Sequence, residues 1–407
     1  MKPWRSKLFL LGGAAALALA IPALGQEAPE SLLPPGFGDP AGPPPPPQQQ
    51  APPPGTPAPS ATPGAPAGPV PPERRAPPPR QPVISSGEED LAALEALLPD
   101  PIEIPEASRR PVEIIGPLGP ENGGLGMGAF GNANGRLLST LMRRLDAPLP
   151  SRWTSILLRR ALLTRAPAPA YVNPVDWTAE RAWLLLRMGE ADAARMLVQA
   201  VDVDRFTPKM FTVAVQSSLA NADPLGLCPL IGPGRKTSDE PVWALGDAMC
   251  AALEGEPAKA STLIGQARRR SLAPAIDLTL AEKVIGAGEN TRRAVTVQWD
   301  DVGELNSWRF GLASATGIQI PEPLMNGAGS HVHAWLARAP MIPLEQRVMA
   351  AQVAASLGVF SSASLVEMHS LLADETDPSE LAETVGGRLR LAYAGRTLDD
   401  RLGALRG

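Results

Sequence analysis

Only a few side chains in this sequence have the types and spacing that chemistry requires. His331-x-His333 is the one histidine cluster. Two imidazoles on one strand or turn can share a metal, but no acid or cysteine stands nearby to complete a ligand set. His369 lies close to Glu367 on a predicted helix and reads as a surface or hydrogen-bonded residue. Cys228 and Cys250 cannot close a zinc site by themselves. Gly126, Gly128 and Gly131 have the GxGxxG spacing. A dinucleotide site needs a strand running into that motif and a βαβ unit after it, and neither is present. The motif therefore reads as a loop ahead of a helix beginning near Asn134. Neither GxSxG nor HExxH occurs. The adjacent acids Asp300, Asp301 and Asp399, Asp400 would point about 100° apart on a helix, which does not make an acid–base pair. No catalytic residue, no metal and no cofactor follows from these groups.

The elements that would position any site are easier to read. Residues 1–25 have the form of a secretory leader: Lys2, Arg5 and Lys7, an apolar run over residues 8–20, then Ala23-Leu24-Gly25 before Gln26. At 13 residues the run is shorter than the roughly 20 that a membrane span needs. Cleavage and a periplasmic location are expected, with an N-terminal anchor in the inner membrane as the alternative. No later segment is apolar enough for an integral span. In such a compartment an even cysteine count favours a disulfide between Cys228 and Cys250, around a Pro/Gly-rich loop. The net charge of −5, more acidic still without the leader, means the protein is not pulled electrostatically to nucleic acid or anionic lipid. Arg143 with Arg144, Arg159 with Arg160, and Arg268 to Arg270 stand between apolar helix positions. They read as solvated helix faces, with an anion-binding patch as the other reading.

Residues 26–83 hold 23 of the 48 prolines. So little apolar surface cannot offset the entropy of ordering, so a disordered spacer with local polyproline II is expected. Docking to an aromatic groove elsewhere is its alternative use. Residues 84–131 carry a short amphipathic helix and a Gly-rich linker. Ser86 to Glu89 forms a capping box ahead of Leu91, Leu94, Leu97 and Leu98, and Pro99 stops the helix. A short strand is expected at 112–115. Residues 132–407 are long enough for a sizeable core.

That last region repeats with a 33-residue period. Gly189-Glu190, Gly255-Glu256 and Gly288-Glu289 stand 66 and 33 residues apart, and Ala222-Asp223 falls on the missing multiple. Seven positions before the small residue stand Ala182, Val215, Ala248 and Ala281. Three before it stand Leu186, Leu219, Ala252 and Ile285; twelve before it, Trp177, Met210, Trp243 and Ile276. Nine after it stand Val198, Ile231, Ile264 and Val297. The first three columns fall near one stripe of a 3.6-residue helix. The small residue would cap that helix with positive φ, and the acid after it would start a second helix. Ala351, Ala355, Gly358 and Ala363 echo the pattern. Residues 137–145 and 153–163 look like a further pair, and helices are expected within 378–394 and 398–405.

Across about residues 176–300 the pattern resembles the tetratricopeptide repeat, a helix–turn–helix of about 34 residues. A small residue at the turn and an Ala-x-x-x-large apolar signature carry the likeness, here Ala194-x-x-x-Val198 and Ala260-x-x-x-Ile264. The chain departs from it in its 33-residue period, in Leu227 and Arg293 where the alanine is expected, and in lacking the first-helix Leu-Gly pair. The resemblance implies an all-α fold, an α-solenoid of stacked helix hairpins. It also implies a concave surface that binds proteins or peptides.

Trp177 and Trp243 occupy columns and read as core. Trp299, Trp308 and Trp335 lie off the columns and are the candidate aromatics of a binding face. The functional expectation is a non-catalytic envelope scaffold that takes a protein or peptide partner. The alternative is a cell-envelope glycan (peptidoglycan) hydrolase or lyase with a helical superstructure, which would need a desolvated carboxylate in a cleft.

Overall fold

The computed structural model describes residues 105–289 and 296–406. The leader at 1–25, the spacer at 26–83 and the amphipathic helix after Ser86 lie outside the described residues. Contacts divide the chain into residues 41–109 and the remainder. The described residues of the first unit form a single turn, Glu106–Ser108. The described part of the second is all-α, with sixteen helices and one two-stranded ribbon.

The ribbon joins β1 (Ile114–Ile115) to β2 (Ala166–Pro167), antiparallel, with Ile115 opposite Ala166. Between its strands lie α1 (Gly135–Arg144) and α2 (Arg152–Leu163). Asn134 caps α1, its side chain accepting from the backbone N–H groups of Arg136 and Leu137; Ser151 caps α2 through the N–H of Thr154.

Helices α3 (Pro174–Arg187) and α4 (Ala191–Gln199) cover the first 33-residue block of the sequence. Helix α5 (Pro208–Ala220) leads through the turn Pro224–Leu227 into α6 (Cys228–Gly234). Helices α7 (Pro241–Leu253) and α8 (Pro257–Arg269) form the third block, and α9 (Ala275–Gly288) opens the fourth. Proline stands in the first turn of α3, α5, α7 and α8, where its missing N–H has no intrahelical partner to lose.

The residues that share the 33-residue spacing lie in the core. Ala182, Val215, Ala248 and Ala281 are at most 1% exposed, and Leu186, Leu219, Ala252 and Ile285 are fully buried. Trp177, Met210 and Trp243 are buried as well, while Ile276 is half-buried. Val198, Ile231 and Ile264 extend the same core from α4, α6 and α8. Gly189 and Gly255 take positive φ at their turns, and Ala222 takes φ 51° at the equivalent position without a glycine.

Two expectations are corrected here. The Pro/Gly-rich loop after Cys228 is helical: Pro229 falls in the first turn of α6 and Pro233 near its end, so neither interrupts a long hydrogen-bond ladder. The fourth block is not a hairpin like the others. Gly288 lies inside the end of α9, without positive φ, and a Cβ there would stand 3.1 Å from the backbone of Ala252 and Leu253. It is small because α9 and α7 approach closely. Residues 296–306 are not helical, and Val297 is half-buried outside any helix.

After α9 the chain folds back on the preceding helices. Helix α10 (Ser307–Ala315) packs against both α5 and α9. A Cβ on its Gly311 would come within 2.6 Å of the Leu219 carbonyl oxygen, so only glycine permits the approach. Helices α11 (Glu322–Gly327) and α12 (Ser330–Leu336) come next. Helices α13 (Leu344–Leu357) and α14 (Ser362–Glu375) form the hairpin that the echo predicts, with Gly358 at φ 84°. With α12 they enclose a second core of Ala334, Val348, Ala351, Ala354 and Met368, among others. Helices α15 (Val385–Ala394) and α16 (Leu398–Arg406) complete the described chain.

Candidate binding surface

Cys228 opens α6 and Cys250 stands in the last turn of α7; their sulfurs are 2.06 Å apart and form the expected disulfide. The bond ties the second block to the third.

The candidate aromatics do not form a face. Trp308 is fully buried, its Nε1 donating to the Asp277 carbonyl oxygen at 3.3 Å. Trp335 is 1% exposed and stacks at a tilt on Phe310, 5.6 Å between ring centres. Both lie off the repeat columns because they belong to helices that return onto the repeats, and that return is what buries them. Trp299 is half-buried against the same core.

Of the histidines, His369 is buried and His331 and His333 are half-buried. His331 packs edge-on to Trp335 at 5.1 Å, and its Nε2 has no hydrogen-bond partner among the described residues. Burial, with Arg187 and His333 nearby, pushes its pKa down to about 4. His333 Nδ1 lies 3.2 Å from the Gly329 carbonyl oxygen. His369 is buried and burial lowers its pKa. No group of three or more His, Cys, Asp or Glu that could hold a metal ion occurs among the described residues.

The glycine motif has a packing role. Its turns, with φ 88° at Gly126 and 52° at Gly131, bring Phe130 edge-on to Trp177 at 5.0 Å and over the guanidinium of Arg181 at 5.4 Å. Arg181 is fully buried on α3. It donates to the carbonyl oxygens of Leu162, Ile115 and Thr164 at 2.6, 2.9 and 2.8 Å. Burial alone lowers its pKa to about 9, which still leaves it charged near neutrality. One side chain thus gathers the ribbon, the end of α2 and the glycine turn onto the first repeat. Asp399 and Asp400 stand in the first turn of α16. Asp400 Oδ2 accepts from the Thr397 N–H while Thr397 Oγ1 accepts from the Asp400 N–H, a reciprocal cap rather than a catalytic pair.

The sequence does not reveal that two carboxylates are desolvated. Glu190 stands after the Gly189 turn, where an acid is expected to favour the start of α4. Instead of capping, it accepts from Arg159 Nη1 at 2.6 Å, and the same nitrogen donates to the Gly358 carbonyl oxygen at 2.9 Å. Arg338 adds attraction to Glu190, pairs with Asp192 and lies over the Phe360 ring at 5.1 Å. Burial raises the pKa of Glu190 and Arg159 opposes the rise. The second carboxylate, Asp277, is fully buried on α9; burial raises its pKa while Arg309 on α10 lowers it. In the sequence all these residues look like ordinary solvated charges. The only available signal is position: Arg181 precedes a column alanine and Glu190 comes directly after a column glycine.

The exposed surface is more telling. Helices α1 and α2 together carry Arg136, Arg143, Arg144, Arg152, Arg159 and Arg160 and no acid. They also expose Leu137, Leu141, Leu157 and, at 78%, Trp153. Within α3 to α9 the exposed large apolar side chains are Met196 and Leu225. No helix among the described residues is long and apolar enough to cross a membrane.

No protein-family model, no curated protein and no solved structure matches the chain.

Proposed function

We propose that the protein is a non-catalytic adaptor of the bacterial cell envelope. It is exported to the periplasm, carried on its proline-rich spacer, and binds a protein or peptide through a degenerate, tetratricopeptide-like array of helix hairpins. The observation that carries this reading is the repeat register: Ala182, Val215, Ala248 and Ala281, with Leu186, Leu219, Ala252 and Ile285, occupy equivalent buried positions in four successive first helices. Equivalent burial at a fixed period is how stacked repeats build a core, and a stacked framework presents its remaining faces to a partner. Export is supported by the leader-like sequence and the disulfide.

The glycan-hydrolase alternative needs a free acid in a cleft. The two desolvated carboxylates with raised pKa, Glu190 and Asp277, are each held by an arginine inside the packing, which favours tying helices together over attacking a sugar. Photo-crosslinking residues at Met196 and Leu225 test the adaptor reading in the living cell. The expected result is the same discrete protein adduct in repeated experiments, from at least one of the two positions. Absence of any adduct, together with release of wall fragments by purified protein that Glu190→Gln abolishes, would replace it with the hydrolase reading.

A further inference from the structure

We propose that α1 and α2 form a docking face for an anionic lipid surface. The chain's overall acid excess conceals a sharp local segregation. Residues 135–163 hold six arginines and a single acid, Asp146, in a chain of net charge −5. Two of the six are consumed internally: Arg143 lies 3.5 Å from Glu180, and Arg159 is bonded to Glu190. Arg136, Arg144 and Arg160 are exposed, as is the neighbouring Arg165, and none has a carboxylate partner among the described residues.

The apolar half of the face is equally definite. Leu137 and Leu141 stand one turn apart on α1, exposed by more than half. Trp153 and Leu157 stand one turn apart on α2, 78% and 59% exposed. Tyr171, 72% exposed, is tied to α1, its carbonyl oxygen accepting from Arg136 Nε at 3.3 Å. Helix α1 is held at its C-terminal end by Arg187, which donates to the carbonyl oxygens of Met142, Arg143 and Leu145. Helix α2 is pinned by the burial of Leu162 and Leu163 and by the Arg181 bond to Leu162.

On each helix the exposed apolar pair and an arginine share one stripe, Leu137, Leu141 and Arg144 on α1 and Trp153, Leu157 and Arg160 on α2, and apolar groups beside arginine match the layers of a charged bilayer. Leucine and the indole ring enter the acyl boundary, while guanidinium groups bind phosphates. A lipid surface satisfies both halves at once. Each arginine near it contributes roughly a fivefold gain in binding that salt screens away.

Vesicle co-sedimentation tests this with the chain from Gln26 onward, which keeps every described residue and removes the leader's own apolar run. The expected result is binding at least tenfold tighter to vesicles of phosphatidylcholine and phosphatidylglycerol at 3:1 than to phosphatidylcholine alone, and lost at 0.5 M salt. Arg144→Glu with Arg160→Glu, and separately Trp153→Ser with Leu157→Ser, each weaken that binding at least tenfold while the melting temperature stays unchanged. Equal binding to both vesicle types, no binding, or variants that bind like the parent would overturn the proposal. So would a dimer in sedimentation analysis that the Trp153→Ser, Leu157→Ser variant abolishes, since the face would then belong to a second copy. Retention of polyglutamate without retention of the vesicles would overturn it too and point to an acidic protein partner.

Discussion

Arg309 on α10 grips Asp277 on α9 with two hydrogen bonds, Nε to Oδ1 at 2.8 Å and Nη2 to Oδ2 at 3.2 Å, while its Nη1 donates to the Glu304 carbonyl oxygen at 2.7 Å. The pair fixes the point at which the chain leaves the repeats and turns back on them. A buried carboxylate is costly without its cation, so the two residues depend on each other. Asp277→Ala should destabilise by about 3–5 kcal/mol in denaturant titration. Asp277→Leu with Arg309→Met should recover most of that loss, because no uncompensated charge is left inside. A double variant as unstable as the single would mean that the pair is not coupled.

The turn residues separate backbone strain from crowding. At Gly255, φ is 83° and a Cβ would meet nothing within 4 Å; at Gly189, φ is 86° and a Cβ would lie 2.8 Å from the Ala334 Cβ. Gly255→Ala should therefore cost about 1 kcal/mol, the left-handed penalty alone. Gly189→Ala should cost more, because α12 must also shift. Ala222, at φ 51°, carries the same penalty in the native chain, so Ala222→Gly should be neutral or raise the melting temperature. Equal losses at Gly189 and Gly255 would contradict the packing of α12 on the first turn.

Acid should weaken the fold through His331. Its folded pKa of about 4 lies below the ordinary 6.5. The unfolded chain takes up a proton as pH falls below 6.5, whereas the folded chain does so only near 4. Stability from this residue is thus present above pH 6.5 and lost toward pH 4, on the order of 3 kcal/mol in all. Glu190 and Asp277 act in the opposite sense. Their folded pKa values are raised, so their contribution is greatest at low pH and falls as pH rises through those values. His331→Asn should flatten the loss of melting temperature between pH 6.5 and 4. An unchanged slope would show that other groups set the acid limit.

Reduction tests the link between α6 and α7. Opening a loop closed by residues 22 apart should lower stability by about 3 kcal/mol in the chain-entropy picture. Dithiothreitol should shift the denaturation midpoint of the parent and leave Cys228→Ser, Cys250→Ser unaffected. A parent indifferent to reductant would mean that the two blocks hold together without the bond.

The buried positions at 33-residue spacing are legible in the sequence because burial on a helix leaves a period, and Ala182 or Leu219 shows it without any knowledge of partners. The caps at Asn134 and Ser151 are equally local. Features that depend on distant chain segments leave no such trace. Trp308 and Trp335 read as surface aromatics because nothing near them in sequence says that α10 and α12 return to the repeats. Arg181, Glu190 and Asp277 carry charges whose burial is decided by partners as far away as Ile115, Arg159 and Arg309. Pro229 and Pro233 make the segment after Cys228 look like a loop when judged by residue type, yet Pro229 occupies the first turn, where it costs little, and α6 is so short that Pro233 breaks no long ladder.

Native-state hydrogen exchange tests most directly the claim that the 33-residue register is the core of the fold. The amides of the column residues on α3, α5, α7 and α9, from Ala182 and Leu186 through Ala281 and Ile285, should exchange slowest of all. They should do so with one common opening free energy equal to that of global unfolding. Fast or unrelated exchange at these matching positions, with the slowest amides found elsewhere, would contradict the account.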